Sequence, residues 1–185
     1  TCVLPVRYSS DKLGYKYECA KSILRRHEGL RVLVFFDYEL PKSERAYDEF
    51  CDALLDDPEF KDRVIVGDAA SAVRDIERRF NSRDDAILVV KDAKFTEGAN
   101  LQESNIIINY QVTPDPLAMD QRIGRIFRLG QKSEVFVYSL ADMNALEGFA
   151  LSYFSAIGLL SSNSGDATIL AGSNSDQMVA LRCRQ

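Results

Sequence analysis

Apolar positions along the chain follow two periods in turn. Short, nearly continuous apolar runs occupy residues 31–36, 64–66, 86–90, 106–110 and 134–140, the second of them ending at Gly67. Such runs mark strands buried on both faces of a parallel sheet. Between them lie stretches whose apolar residues recur every three or four positions. Residues 15–27 place Ala20, Ile23, Leu24 and His27 on one side of a helix, residues 43–55 form a second, and residues 69–80 space Val73, Ile76 and Phe80 at helical intervals. A fourth helix is predicted over 116–129, opened by Asp115 as an N-cap and Pro116 at the first helical position. This alternation predicts an α/β fold, a parallel sheet with helices on both faces. Ligands of such sheets gather at the carboxyl ends of the strands, so the segments after Phe36, Gly67, Val90 and Tyr110 form the expected functional edge.

Past Leu140 the pattern changes. Residues 145–160 read as a largely apolar helix, 161–165 (Ser-Ser-Asn-Ser-Gly) as a flexible connector, and 168–185 as short and mixed. The expected division is a lobe over 1–141 and a C-terminal helical and linker extension over 142–185, without internal repeats.

Composition narrows the function without naming it. A length of 185 residues suits one well-buried domain plus an extension, and 46% apolar with 28% charged residues is an ordinary globular balance. There is no apolar run long enough to span a bilayer and no signal peptide, so no membrane partner is expected. The first residue is Thr1, which suggests a segment of a longer chain. A net charge of −5 and a pI near 5.0 argue against a free-standing, non-specific nucleic-acid binder. Local basic stripes are compatible with that total: Arg25-Arg26, Arg78-Arg79 and the run 122–132, the first two reading more simply as solvated helix faces. Cys2, Cys19, Cys51 and Cys183 contain no C-x-x-C pair, and His27 is the single histidine, so no metal site is expected. Cys19 and Cys51 read as small buried hydrophobes, and a reducing intracellular compartment, nucleus or cytoplasm, fits.

The chemistry concentrates in residues 120–131, Asp-Gln-Arg-Ile-Gly-Arg-Ile-Phe-Arg-Leu-Gly-Gln. At roughly 100° per residue, Gln121, Arg125 and Arg128 share one helix face. Met119, Ile123, Ile126 and Phe127 share the opposite one. The guanidinium is a planar, permanently charged fork suited to phosphate oxygens. Two of them a helical turn apart suit a triphosphate gaining charge in its transition state. The alternative for these residues taken alone is an amphipathic surface helix with a solvated basic face.

The form Q-R-I-G-R-x-x-R-x-G-Q resembles motif VI of superfamily 2 helicases and translocases. It is closest to the Swi/Snf-like DNA translocases, which include the bacterial RNA-polymerase-recycling ATPases. Four upstream stretches resemble the same family in order and spacing. Residues 10–13 with the strand 31–36 are similar to the opening helix and motif IV. Gly67-Asp68, Arg74 and Arg79-Phe80-Asn81 are similar to its strand end and an Arg-Phe-Asn-like turn. Residues 95–102, Phe-Thr-Glu-Gly-Ala-Asn-Leu-Gln, are similar to motif V, and residues 106–116 lead directly into the arginine helix. The resemblance covers about 10–140 and implies a RecA-like second lobe, the helicase C-terminal domain.

It further implies that Arg125 and Arg128 act as arginine fingers, and that Gln121, Glu97 and Gly98 lie near nucleotide. Thr96, Asn100 and Arg122 would contact nucleic acid, duplex DNA by the form of the motif; for Arg122 a structural role is equally open. The implied cofactor is ATP with Mg2+. Departures from the family are Pro114-Asp115 in place of Trp-Asn, Asp92 where the motif V strand ends in Ser or Thr, and Phe95 in place of Gly. They bear on nucleic-acid contact more than on ATP contact. The 185 residues contain no G-x-x-x-x-G-K-[ST] loop, so phosphate cradling falls to an upstream RecA-like lobe expected in the same polypeptide. The chain alone is not expected to hydrolyse ATP. The alternatives are a catalytically degenerate lobe that binds nucleic acid or docks a protein partner as a scaffold, and an unrelated α/β enzyme with an arginine-lined anion pocket.

Overall fold

The computed structural model describes residues 14–37, 43–67, 72–91, 101, 103–113, 115–124, 135–142, 167–171 and 176–183. The order is α1 (Gly14–Arg26), β1 (Val32–Phe35), α2 (Ser43–Asp56), β2 (Val64–Gly67), α3 (Val73–Asn81), β3 (Ile87–Val90), β4 (Ile106–Asn109), α4 (Pro116–Gly124), β5 (Val135–Asp142), β6 (Ala167–Ala171) and β7 (Asp176–Cys183). The strands form one sheet in the order β2-β3-β1-β4-β5-β7-β6. The first five are mutually parallel, in a register that sets Leu33 between Leu88 and Ile107 and Asn109 beside Ser139.

Side-chain alternation along the strands builds two cores. Val32, Val34 and Phe36 of β1 and its exit share one face with Ile87, Val89, Ile106 and Ile108, covered by α1 through Ala20, Ile23 and Leu24 and by α2 through Phe50 and Leu54. Leu33 and Phe35 share the other face with Leu88, Val90 and Ile107, covered by α3 through Ile76 and Phe80. The buried runs explain why the strands carry no polar alternation: both faces are packed. Helix α1 ends in a turn where Leu30 donates to the His27 carbonyl (3.1 Å) and Gly29 adopts φ 79°. That conformation favours glycine, and it redirects the chain into β1.

Two differences from the sequence reading stand out. Helix α3 begins at Val73 rather than at residue 69; residues 69–71 lie outside the described set. The C-terminal extension over 142–185 is not simply helical and linker. β7 pairs antiparallel with β5 over Val135↔Cys183 to Asp142↔Asp176, and β6 pairs antiparallel with β7. The pairing that makes these segments strands is supplied by β5, far away in sequence. The residues between them, Gly-Ser-Asn-Ser at 172–175, have turn-forming composition. The predicted helix over 145–160 lies outside the described residues. Among the described residues no helix is long and apolar enough to cross a membrane.

Candidate functional site

The carboxyl ends of β3, β1 and β4 lie side by side, and their exits are tied by backbone bonds. Phe36 donates to Val90 O at 2.9 Å and Tyr110 to Phe35 O at 2.9 Å. The Asp37 amide donates to Gln111 Oε1 at 3.1 Å. Thr113 and Asp115 then turn the chain into α4: the Asp115 amide donates to Thr113 Oγ1 at 3.2 Å, and Asp115 Oδ1 accepts from the Leu117 amide at 2.9 Å. This is the expected carboxylate cap, which satisfies one of the orphan donors of the first turn. Helix α4 therefore starts at the edge where parallel sheets present their ligand sites.

On α4, Gln121 is exposed and Arg122 is buried. Arg122 turns inward, with 2% of the residue accessible. Its Nη2 faces Asp37 Oδ2 at 3.4 Å, its Nη1 donates to Gln111 O at 3.2 Å, and its guanidinium carbon lies 5.7 Å from the Phe35 ring centroid. Of the two roles left open for Arg122, nucleic-acid contact or structure, this placement favours the structural one. Its fork faces Asp37 and the Gln111 carbonyl inside the lobe. A sequence signal existed: at roughly 100° per residue Arg122 lies only about 60° from Met119, at the border of the apolar stripe. Asp37 was missed as a functional candidate. Its signal was a carboxylate placed directly after an apolar strand.

Thr96, Glu97, Gly98, Asn100, Arg125 and Arg128 lie outside the described residues, as do Asp92, Phe95 and Pro114. Of the expected site residues, the structure thus describes Gln121, exposed on α4, and Arg122, buried next to it in the chain. Among the described residues no three His, Cys, Asp or Glu side chains converge as a metal-binding group.

Flanking side chains reinforce the same edge. Lys16 Nζ donates to Tyr110 O at 3.3 Å, and Tyr47 OH donates to Gly67 O at 3.1 Å at the end of β2. Tyr110 stacks on Phe36 with centroids 4.6 Å apart. At the opposite, amino edge Arg31 clamps the end of α3, donating to the carbonyls of Phe80, Asn81 and Arg83. The end of α3 at Arg79-Phe80-Asn81 is thus fixed by the buried Phe80 ring and by the Arg31 guanidinium. Of the basic pairs noted in the sequence, Arg25 bonds Glu59 at 2.8 Å and Arg78 bonds Asp75 within α3. Both are exposed helix-face contacts, which contribute little.

Five parallel strands sandwiched by helices, with helix α4 capped at their carboxyl edge, define a RecA-like lobe. The helicase conserved C-terminal domain matches residues 15–130, more than half of the chain, and the chain belongs to that family. It is similar to the "Uncharacterized ATP-dependent helicase YqhH" of Bacillus subtilis (strain 168), with 47% identity over 51 residues, 28% of this chain and 9% of that protein. Its fold is that of the "C-terminal part of Fun30 ATPase domain", with a TM-score of 0.60 at 20% identity, covering 78% of this chain and 46% of that one. The chain therefore spans less than half the length of either relative.

Proposed function

We propose that this chain is the second motor lobe of an ATP-dependent nucleic-acid translocase or helicase acting on duplex DNA. Arg125 and Arg128 act in it as arginine fingers toward ATP held mainly by an upstream RecA-like lobe of the same polypeptide. The observation that carries the reading is the capped helix α4 at the carboxyl edge of a helicase C-terminal domain, with Gln121 exposed on it. Mg2+ held with ATP by the upstream lobe would neutralise charge developing during phosphoanhydride cleavage. This chain's part is to bring Arg125 and Arg128 to that charge on lobe closure, with Gln121 hydrogen-bonding beside them. Glu97 and Gly98 line the nucleotide side of the lobe interface, and Thr96 and Asn100 meet the nucleic-acid backbone. Closing and reopening then shift the lobes along the strand.

The test is ATP hydrolysis by the parent polypeptide without nucleic acid, with duplex DNA and with single-stranded RNA. Turnover stimulated by duplex DNA, and absent from the 185-residue chain alone, is expected. Stimulation by RNA only would reassign the track. No turnover under any condition would leave the lobe as a helicase-like scaffold.

A further inference from the structure

We infer that Arg122 and Asp37 are a positioning pair that fixes the direction of helix α4, after which Arg125 and Arg128 follow in the chain, an inference that rests on the motor reading above. Both side chains are almost fully buried, at 3% and 6% exposure, with Nη2 and Oδ2 3.4 Å apart. Taking two charges out of water costs several kcal/mol for each ion, and well-packed apolar side chains often serve stability as well or better. The separation also exceeds the roughly 2.7–2.9 Å of a strong charge-assisted bond. Stability is therefore a poor reason for the pair.

What the pair supplies is orientation. The planar fork of Arg122 is held by Asp37 at the exit of β1, by the Gln111 carbonyl at the exit of β4, and by the Phe35 ring below. Those anchors are themselves locked together, because the Asp37 amide donates to the Gln111 side chain and β1 pairs with β4. With Asp115 capping the first turn, α4 is held at both ends. An apolar side chain at 122 would fill the same space but lose the directional hold of the fork on Asp37 and the Gln111 carbonyl. Arg122 precedes Arg125 and Arg128 by three and six residues. The chain leaves α4 at Gly124 directly into Arg125, so a pivot at the pair shifts the point from which both arginines are carried toward a transition state, where about 1 Å costs on the order of 10²-fold in rate.

The experiment uses the parent polypeptide and compares wild type, Arg122→Met, Arg122→Lys, Asp37→Asn and Arg128→Ala. Nucleic-acid-stimulated kcat and KM for ATP are measured per folded molecule, well below each variant's melting temperature. Arg122→Met and Asp37→Asn are expected to lose on the order of 10²-fold in kcat with KM for ATP near wild type. Arg122→Lys is expected to lose nearly as much, since an ammonium is a point charge without the fork. Asp37→Asn preserves shape and keeps the test alive if Arg122→Met does not fold. Normal kcat per folded molecule with a lowered melting temperature would show a purely stabilising pair and overturn the inference. Its failure is separable from that of the motor reading. An active, Arg128-dependent wild type with normal Arg122 and Asp37 variants sinks this inference alone. An inactive or Arg128-independent wild type sinks both.

Discussion

Removing the guanidinium of Arg31 should destabilise the lobe by about 2–4 kcal/mol. The side chain is 13% exposed and donates to three carbonyls where α3 ends: Phe80 O at 3.3 Å, Asn81 O at 3.1 Å and Arg83 O at 2.7 Å. Helix C-termini leave carbonyls without intrahelical donors, so these bonds fill a deficit intrinsic to the helix. Hydrogen bonds from a charged donor contribute about 1.5–3 kcal/mol each, but the turn at Ser82, Arg83 and Asp84 is open to water, which recovers part of the loss. The ion pairs to Asp84 and Glu103 add little, since their carboxylates are 91% and 64% exposed. In Arg31→Met the aliphatic stem stays and the donors go. For a chain of this size the loss corresponds to a fall of roughly 5–15 °C in melting temperature. Urea unfolding of wild type, Arg31→Met and Arg31→Lys measures it, with Lys recovering only part because it cannot reach three acceptors in fork geometry. A change below about 0.5 kcal/mol in Arg31→Met, the range of an ordinary surface substitution, would refute the clamp.

Two further predictions concern buried groups. Burial, and secondarily Arg26, holds the His27 imidazole below its ordinary range, and its Nε2 lies 2.7 Å from Tyr138 OH. The unfolded chain takes up a proton near pH 6.5 while the folded one does not, so stability falls as pH drops below about 6.5 toward the folded pKa. His27→Gln should flatten the stability curve between about pH 7 and pH 5; an unchanged slope would assign the effect elsewhere. The Cys51 thiol, 5% exposed, is pushed up to about 12 chiefly by burial. In a chain carrying Cys2→Ser and Cys183→Ser, thiol modification at neutral pH should therefore track urea unfolding, and rapid reaction of the folded chain would show the site to be open.

The five parallel strands were readable because each is packed on both faces. The run 31–36 had to be a buried strand, and β1 over Val32–Phe35 with Phe36 and Asp37 closing it is what folds. The Asp115-Pro116 start of α4 was readable because capping is local chemistry. The C-terminal strands were not, since Thr168-Ile169-Leu170 and Met178-Val179-Ala180-Leu181 become strands only by pairing with one another and with β5. The Asp37–Arg122 pair was hidden for the same reason: a charge's burial depends on what the far end of the chain brings to it, 85 residues away by the difference of 122 and 37. A composition that reads Arg122 as one more basic group cannot distinguish a phosphate contact from an internal bolt.

The central claim is that this lobe completes an ATP site through its arginines. Its most direct test is steady-state ATP turnover of the parent polypeptide, with duplex DNA saturating, for wild type and Arg128→Ala. A fall in kcat on the order of 10³-fold or more, with KM for ATP little changed, is the predicted result, because the finger acts on transition-state charge rather than on ground-state binding. Equal turnover in the two proteins would contradict it.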